Sequence, residues 1–137
     1  MDNITRVGIL GMGHVGTHVA NAILYQGLAA EIYCIDALEA KVVSEVNDLQ
    51  DAMPFYPRQA RVYNCHCDYE ALLDCDIVVN AAGHVASAAT NRDGELFVTA
   101  DETKKWAPRL KGYRGLIVNI ANPCDVIATM IWKLAEL

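Results

Sequence analysis

Long apolar runs are missing from this sequence, in which no stretch approaches the roughly 18 consecutive apolar residues that a membrane-crossing helix needs. The first residues, Met1 to Arg6, also lack a basic stretch followed by an unbroken apolar core, so no secretory signal is expected and the cytoplasm is the expected compartment. Clustered positive charge is scarce as well. Eleven Lys and Arg against 17 Asp and Glu leave a net charge of −6, which argues against a nucleic-acid or anionic-membrane partner. The single basic run, Lys104, Lys105, Arg109, Lys111 and Arg114, is spaced for the solvated face of a helix. A cysteine framework is absent too: the five cysteines are odd in number and irregular in spacing, as suits a reducing compartment. Cys65, His66 and Cys67 make half of a metal site at best, with no second pair to complete four ligands. No metal is expected, and the three read as the end of a strand.

What the sequence does contain is ordinary for a globular protein, with 53% apolar and 20% charged residues. Its 137 residues suffice for one core, so residues 1–137 are expected to form a single domain. Short β-rich apolar runs alternate with helical periodicity. Strands are predicted at Val7 to Leu10, Ile32 to Ile35, Arg61 to Cys65, Ile77 to Asn80 and Leu116 to Ile120. Between them, Val15, Val19, Ala22, Ile23 and Leu24 recur at helical spacing up to a stop at Gly27, and a long amphipathic stretch runs from Leu38 to Met53. Tyr69 to Leu73 reads as a short helix or turn. Glu95 to Leu110 reads as a helix weakened by Val98 and Thr99 and disturbed by Pro108, and Pro123 begins a last helix. Strands alternating with crossover helices predict an α/β fold, a doubly wound parallel sheet with helices on both faces.

Gly11, Met12, Gly13, His14, Val15 and Gly16 spell G-x-G-x-x-G between a predicted strand and a predicted helix. Asp36 ends the second strand about twenty positions beyond the last glycine, as the dinucleotide fingerprint of a Rossmann fold requires. In that placement Gly11 permits the tight turn, Gly13 admits the pyrophosphate and Gly16 lets helix and strand pack closely. The helix start at His14 and Val15 then offers free N–H groups and a positive dipole end to the phosphates. Asp36 would bind the adenosine ribose, a charged hydrogen bond worth on the order of 1.5 to 3 kcal/mol, and would repel a 2′-phosphate. NAD is therefore expected over NADP; a purely structural glycine turn, or FAD or another adenine nucleotide, remain alternatives. His14 and His18 have the spacing of a chelating pair but no third ligand nearby, and read as helix-surface residues.

Further along, Ala81-Ala82-Gly83 is followed nine residues later by Arg92 and then by the run V-N-I-A-N-P-C-D-V from Val118 to Val126. With Asn47-Asp48-Leu49-Gln50-Asp51-Ala52-Met53, these stretches resemble the L-lactate and malate dehydrogenase superfamily, closest to its L-2-hydroxyisocaproate dehydrogenase branch. The resemblance spans nearly the whole chain but corresponds only to the N-terminal, cofactor-binding half of such an enzyme. It implies an oxidoreductase transferring a hydride between NAD(H) and a small 2-hydroxy or 2-oxo acid. It further implies that Gly11, Gly13, Gly16 and Asp36 hold the adenosine diphosphate, and that Ala81, Ala82 and Gly83 shape the cleft near the nicotinamide ribose. Asn122 would contact the nicotinamide and the substrate oxygen, and Arg92 would polarise the 2-oxo group from a closing loop. The position that selects the substrate side chain is Ala86, neither the amide of lactate enzymes nor the arginine of malate enzymes, which points to a bulkier apolar 2-oxo acid.

The resemblance also places the proton-transferring histidine, its aspartate and a carboxylate-binding arginine in the second, catalytic domain, which is absent from residues 1–137. None of the four histidines replaces that histidine, His84 included, so this piece alone is expected to bind NAD without turning it over. A homo-oligomer, dimer or tetramer, is expected through the Leu38 to Met53 helix. The alternative reading is a non-catalytic module that senses NAD(H).

Overall fold

The computed structural model describes residues 5–83 and 92–137. Five strands form one parallel sheet: β1 (Arg6–Leu10), β2 (Glu31–Ile35), β3 (Arg61–Asn64), β4 (Ile77–Asn80) and β5 (Leu116–Asn119), in the order β3-β2-β1-β4-β5. The chain winds outward from β1 to β3, then returns to the other side of β1 for β4 and β5. The order therefore reverses between β1 and β4, where Leu10 lies beside Asn80, and a crevice opens beyond the carboxyl ends of those strands.

Alternate residues of the same strands feed two cores, as the period of two along a strand requires. Val7 and Ile9 of β1, with Ile32 and Cys34 of β2, face helices α1 (His14–Gln26) and α2 (Glu39–Ala52). Leu10, Ile35 and Val78 face the other way, against α3 (Arg92–Trp106), α4 (Cys124–Leu134) and 3-10 turns at Tyr69–Asp74 and Ala107–Leu110. Burial on both faces explains why these strands read as continuous apolar runs rather than alternating ones.

Three sequence expectations need correction. Helix α1 is present and stops at Gly27, whose φ of 65° forms a left-handed cap. Its buried stripe, however, is Gly16, Ala20 and Leu24, while Val15 and Ala22 are exposed. Small residues face the sheet because the helix lies close to it, and a search for bulky apolar side chains overlooks them. Helix α3 begins at Arg92, three residues earlier than the expected Glu95. Thr99 and Thr103 on it are buried, and the Thr103 hydroxyl donates to the Thr99 carbonyl at 2.8 Å. The α-helix ends at Trp106, short of the expected Leu110, and Ala107–Leu110, with Pro108 near its start, continues as 3-10 helix.

The basic run lies on the surface as expected. Lys104 pairs with Asp101, Lys105 with Glu102, Arg109 with Glu70 and Lys111 with Glu136. Among the described residues no helix is long and apolar enough to cross a membrane.

Candidate functional site

The crevice is built first by glycines. Gly11 leaves β1 with φ of 91°, and a Cβ there would stand 2.7 Å from the backbone of Ala82. Only glycine tolerates both the dihedral and the contact. Gly16 packs against the turn itself, since its Cβ would collide with the Gly11 carbonyl oxygen and lie 3.3 Å from Ile9 Cγ2. Gly13 differs from both. Its backbone is extended, with φ of −75°, and a Cβ there would meet no atom of the described residues within 4 Å. None of those residues demands glycine at that position, which leaves room for something that approaches from outside.

What Gly13 opens onto is the start of a 13-residue helix with no side-chain cap and no acidic residue in its first turn. The first amides of a helix have no intrahelical acceptor, and together with the helix dipole they favour an anion. Donors of this kind suit an anionic group such as a diphosphate.

Asp36 closes the adjoining side. Its Oδ2 accepts from the Met12 amide at 2.7 Å and its Oδ1 from the Leu38 amide at 2.8 Å. The carboxylate therefore ties the loop before α1 to the loop before α2, a role that sequence reasoning did not foresee. Each oxygen retains a further lone pair, and the residue is only partly buried. It can hold the loops and still accept from a ligand hydroxyl.

These elements border one cavity of about 320 Å³, within the usual range for small-molecule sites. Gly11, Gly13, Ala81, Ala82 and Gly83 line it together with Asp36, Ala37, Leu38 and Lys41. Tyr69 and the α3 residues Val98, Glu102 and Trp106 complete the lining. Burial and the nearby Glu102 carboxylate hold the Tyr69 phenol above its ordinary pKa. Trp106 Nε1 and Thr99 Oγ1 are buried without a hydrogen-bond partner among the described residues, and Thr99 Oγ1 lies behind Gly83.

The sequence motifs thus converge in part. Gly11, Gly13, Asp36, Ala81, Ala82 and Gly83 all face the cavity, and Gly16 supports it from beneath. His14 and Val15 sit at the exposed start of α1, outside the cavity lining, and with His18, Val19 and Ala22 they border a separate shallow hollow. Asn122 is exposed in the turn after β5, outside the cavity lining. Ala86 and His84 lie outside the described residues, as does the side chain of Arg92, whose backbone opens α3.

Sequence reasoning missed the pair that joins the crevice lips. Asn80 and Asn119 end β4 and β5 in register, and Asn80 Nδ2 donates to Asn119 Oδ1 at 2.8 Å. Asn80, fully buried, accepts from the Ala82 amide through Oδ1 at 3.2 Å. Asn119 Nδ2 donates to the carbonyls of Ala121 and Cys124 at 3.1 and 3.0 Å. A buried polar chain of this kind fixes the backbone on both sides of Asn122 and of Ala82. The available signal was two apolar runs, I-V-V-N and L-I-V-N, ending in the same amide.

Cys65, His66 and Cys67 follow β3. The Cys65 amide continues the sheet ladder to Cys34, and His66 Nδ1 lies 3.2 Å from Glu39. Burial pushes the Cys65 thiol up to about 11 and those of Cys34 and Cys75 up to about 12, so none is disposed to act as a thiolate. Among the described residues no three His, Cys, Asp or Glu converge as metal ligands.

Comparison with known proteins agrees with this architecture. Over 137 aligned residues the chain is 36% identical to L-lactate dehydrogenase 1 of Bifidobacterium longum, covering 98% of this chain and 43% of that enzyme. A crystal structure of the minor L-lactate dehydrogenase of Enterococcus mundtii superimposes with a TM-score of 0.87 at 29% identity, over 98% of this chain and 43% of that one. The lactate dehydrogenase of Cryptosporidium parvum, solved with lactic acid and nicotinamide adenine dinucleotide, shares the fold at a TM-score of 0.88 and 22% identity, over 100% of this chain and 43% of that one. The chain thus spans less than half the length of the relatives it matches. Residues 5–137 match the family model described as lactate/malate dehydrogenase, NAD binding domain, and the chain belongs to that NAD-binding family.

Proposed function

We propose that residues 1–137 are the cofactor half of an NAD-dependent L-2-hydroxy acid dehydrogenase, with NAD lying along the crevice from Asp36 to the β4–β5 lips. The observation that carries this reading is Gly13, where a side chain would meet none of the described residues, in front of an uncapped helix start. In this reading the amides of Gly13, His14 and Val15 hold the diphosphate, and Gly11 and Gly16 keep the turn tight enough to present them. Asp36 accepts from the adenosine ribose and excludes a 2′-phosphate. Ala81, Ala82 and Gly83 give room for the second ribose, because only methyl groups or hydrogen project there.

NAD(H), when bound, supplies or takes the hydride. Asn122 orients the nicotinamide and the substrate oxygen, on a turn whose backbone Asn119 holds. Arg92 polarises the substrate carbonyl and balances the charge that develops on its oxygen. Ala86, small and uncharged, selects an apolar 2-oxo acid bulkier than pyruvate, in the manner of a hydroxyisocaproate dehydrogenase. Residues 1–137 alone bind NAD and transfer no hydride, since no histidine among them matches the family's proton donor. The domain also self-associates through the outer face of α2, with exposed apolar groups such as Val15, Leu116 and Trp132 adding to the tendency.

The test is calorimetry of residues 1–137 with NADH and NADPH, followed by assay of the full-length protein with NADH and 2-oxo acids of increasing side-chain size. Saturable binding of NADH over NADPH, and turnover that favours a branched 2-oxo acid over pyruvate and oxaloacetate, are expected. Equal binding of the two cofactors would remove Asp36 from its role, and a preference for pyruvate would remove Ala86 from its own.

A further inference from the structure

Glu102 lines the same cavity as Asp36 but takes no part in holding the ribose or the diphosphate. Val98, Glu102 and Trp106 are spaced four residues apart on α3 and line one wall together. Glu102 lines the same cavity as Asp36, Leu38 and Tyr69, and its carboxylate helps to raise the Tyr69 phenol above its ordinary pKa. Its side chain is 32% exposed, and its Oε1 accepts from Lys105 Nζ at 2.5 Å. Oε2 receives no hydrogen bond from any described residue. The only lysine lining this cavity, Lys41, is held at 2.7 Å by Glu45.

Resting on the reading that the ribose sits at Asp36, we propose that Glu102 Oε2 accepts a hydrogen bond from the exocyclic amine of the cofactor's adenine, making the site selective for a 6-amino purine. In that reading the diphosphate takes Gly11 and Gly13, which leaves Ala37, Leu38, Tyr69 and Glu102 among the walls for the base attached to the ribose. The apolar groups accept either purine face without preference. Glu102 does not. A carboxylate offers only acceptors, so it pairs with an amino group and opposes the lone pairs of a 6-oxo group. To present its ring N1–H instead, a 6-oxo purine must slide away from the sugar position that Asp36 sets. The Lys105 pair neutralises Glu102 without using Oε2, so the preference comes from hydrogen-bond direction and not from net charge.

The probe is nicotinamide hypoxanthine dinucleotide, which carries a 6-oxo group and an N1–H in place of the 6-amino group. Calorimetry of residues 1–137 is expected to give about tenfold weaker binding for this analogue than for NAD, the usual scale of a charged hydrogen bond lost. Glu102→Gln, which both donates and accepts, brings the ratio close to one. Glu102→Ala weakens NAD and leaves the hypoxanthine analogue unchanged. Equal binding of the two dinucleotides by the parent, or an unchanged ratio in Glu102→Ala, overturns the base selection while leaving the NAD crevice intact. Failure of both dinucleotides to bind overturns the crevice itself, and the selection with it.

Discussion

The two ends of the sheet treat their polar groups in opposite ways. At the amino ends of the strands, Glu31 accepts from Arg6 Nε at 2.9 Å and from the phenols of Tyr33 and Tyr63 at 3.3 and 3.5 Å, with Arg61 at 3.7 Å. Asp76 accepts from the Arg6 amide at 2.8 Å. Each charge there has a partner from a neighbouring strand or segment. At the carboxyl ends, the first turn of α1 has no side-chain cap, Asp36 keeps spare acceptor capacity, and Thr99 and Trp106 leave polar atoms unpaired among the described residues. One end spends its hydrogen bonds on the fold, and the other withholds some for a ligand. Substitutions at the first should therefore move stability alone, and those at the second should move binding.

The sharpest way to break this contrast is Gly13→Val. Because a Cβ there meets none of the described residues, the stability of the fold should remain within about 0.5 kcal/mol of the parent, while NAD affinity falls by roughly a hundredfold or more through blocked approach of the diphosphate. Calorimetry and thermal melts of the same variant check both halves of the claim; a variant that binds NAD like its parent would place the diphosphate elsewhere. Asp36→Asn comes next. Its amide can replace only one of two acceptors, so NAD binding should weaken by about tenfold and the melt should also drop, by on the order of 1–3 kcal/mol.

Asn80→Ala sharpens the comparison from within the crevice. It leaves the Ala82 amide and Asn119 Oδ1 without their partner, and a loss of about 1–3 kcal/mol in chemical denaturation is expected, accompanied by weaker NAD binding. Retained affinity would show that the lips need no such bridge. The smallest effect belongs to the amino end. The Arg6 hydrogen bond holds the Glu31 carboxyl below its ordinary pKa, so its contribution to stability is present above about pH 4.5 and is lost as pH falls through the lowered native value. Glu31→Gln should flatten that acid limb by a few degrees in Tm at most, with NAD affinity at pH 7 unchanged.

Much of this was legible in the residues themselves. The strand runs were read to within one residue at either end: burial on both faces gives β1, β2 and β4 short apolar blocks between turn residues, and β5 is as apolar although Leu116 and Val118 are exposed. The glycine fingerprint and Asp36 were equally plain, since each has a steric or electrostatic reason to stand where it does. The inner face of α1 was not plain, because close packing there calls for Gly16 and Ala20, which carry no hydrophobic signal. Nor were Tyr69, Glu102 and Trp106 visible as parts of a site: they come from a 3-10 turn and a helix brought together only by the doubly wound path. The Asn80–Asn119 bridge depends on the register of two strands 39 residues apart, which no local pattern encodes.

The double latch formed by Asp36 bears on redesign. A change of cofactor preference is commonly sought by replacing the acidic residue after the second strand, yet here the same two oxygens anchor the main chain at Met12 and Leu38. Removing them would loosen the phosphate turn and the entrance to α2 in one stroke. A route to a phosphorylated cofactor would have to supply substitute acceptors for both amides before adding any cation.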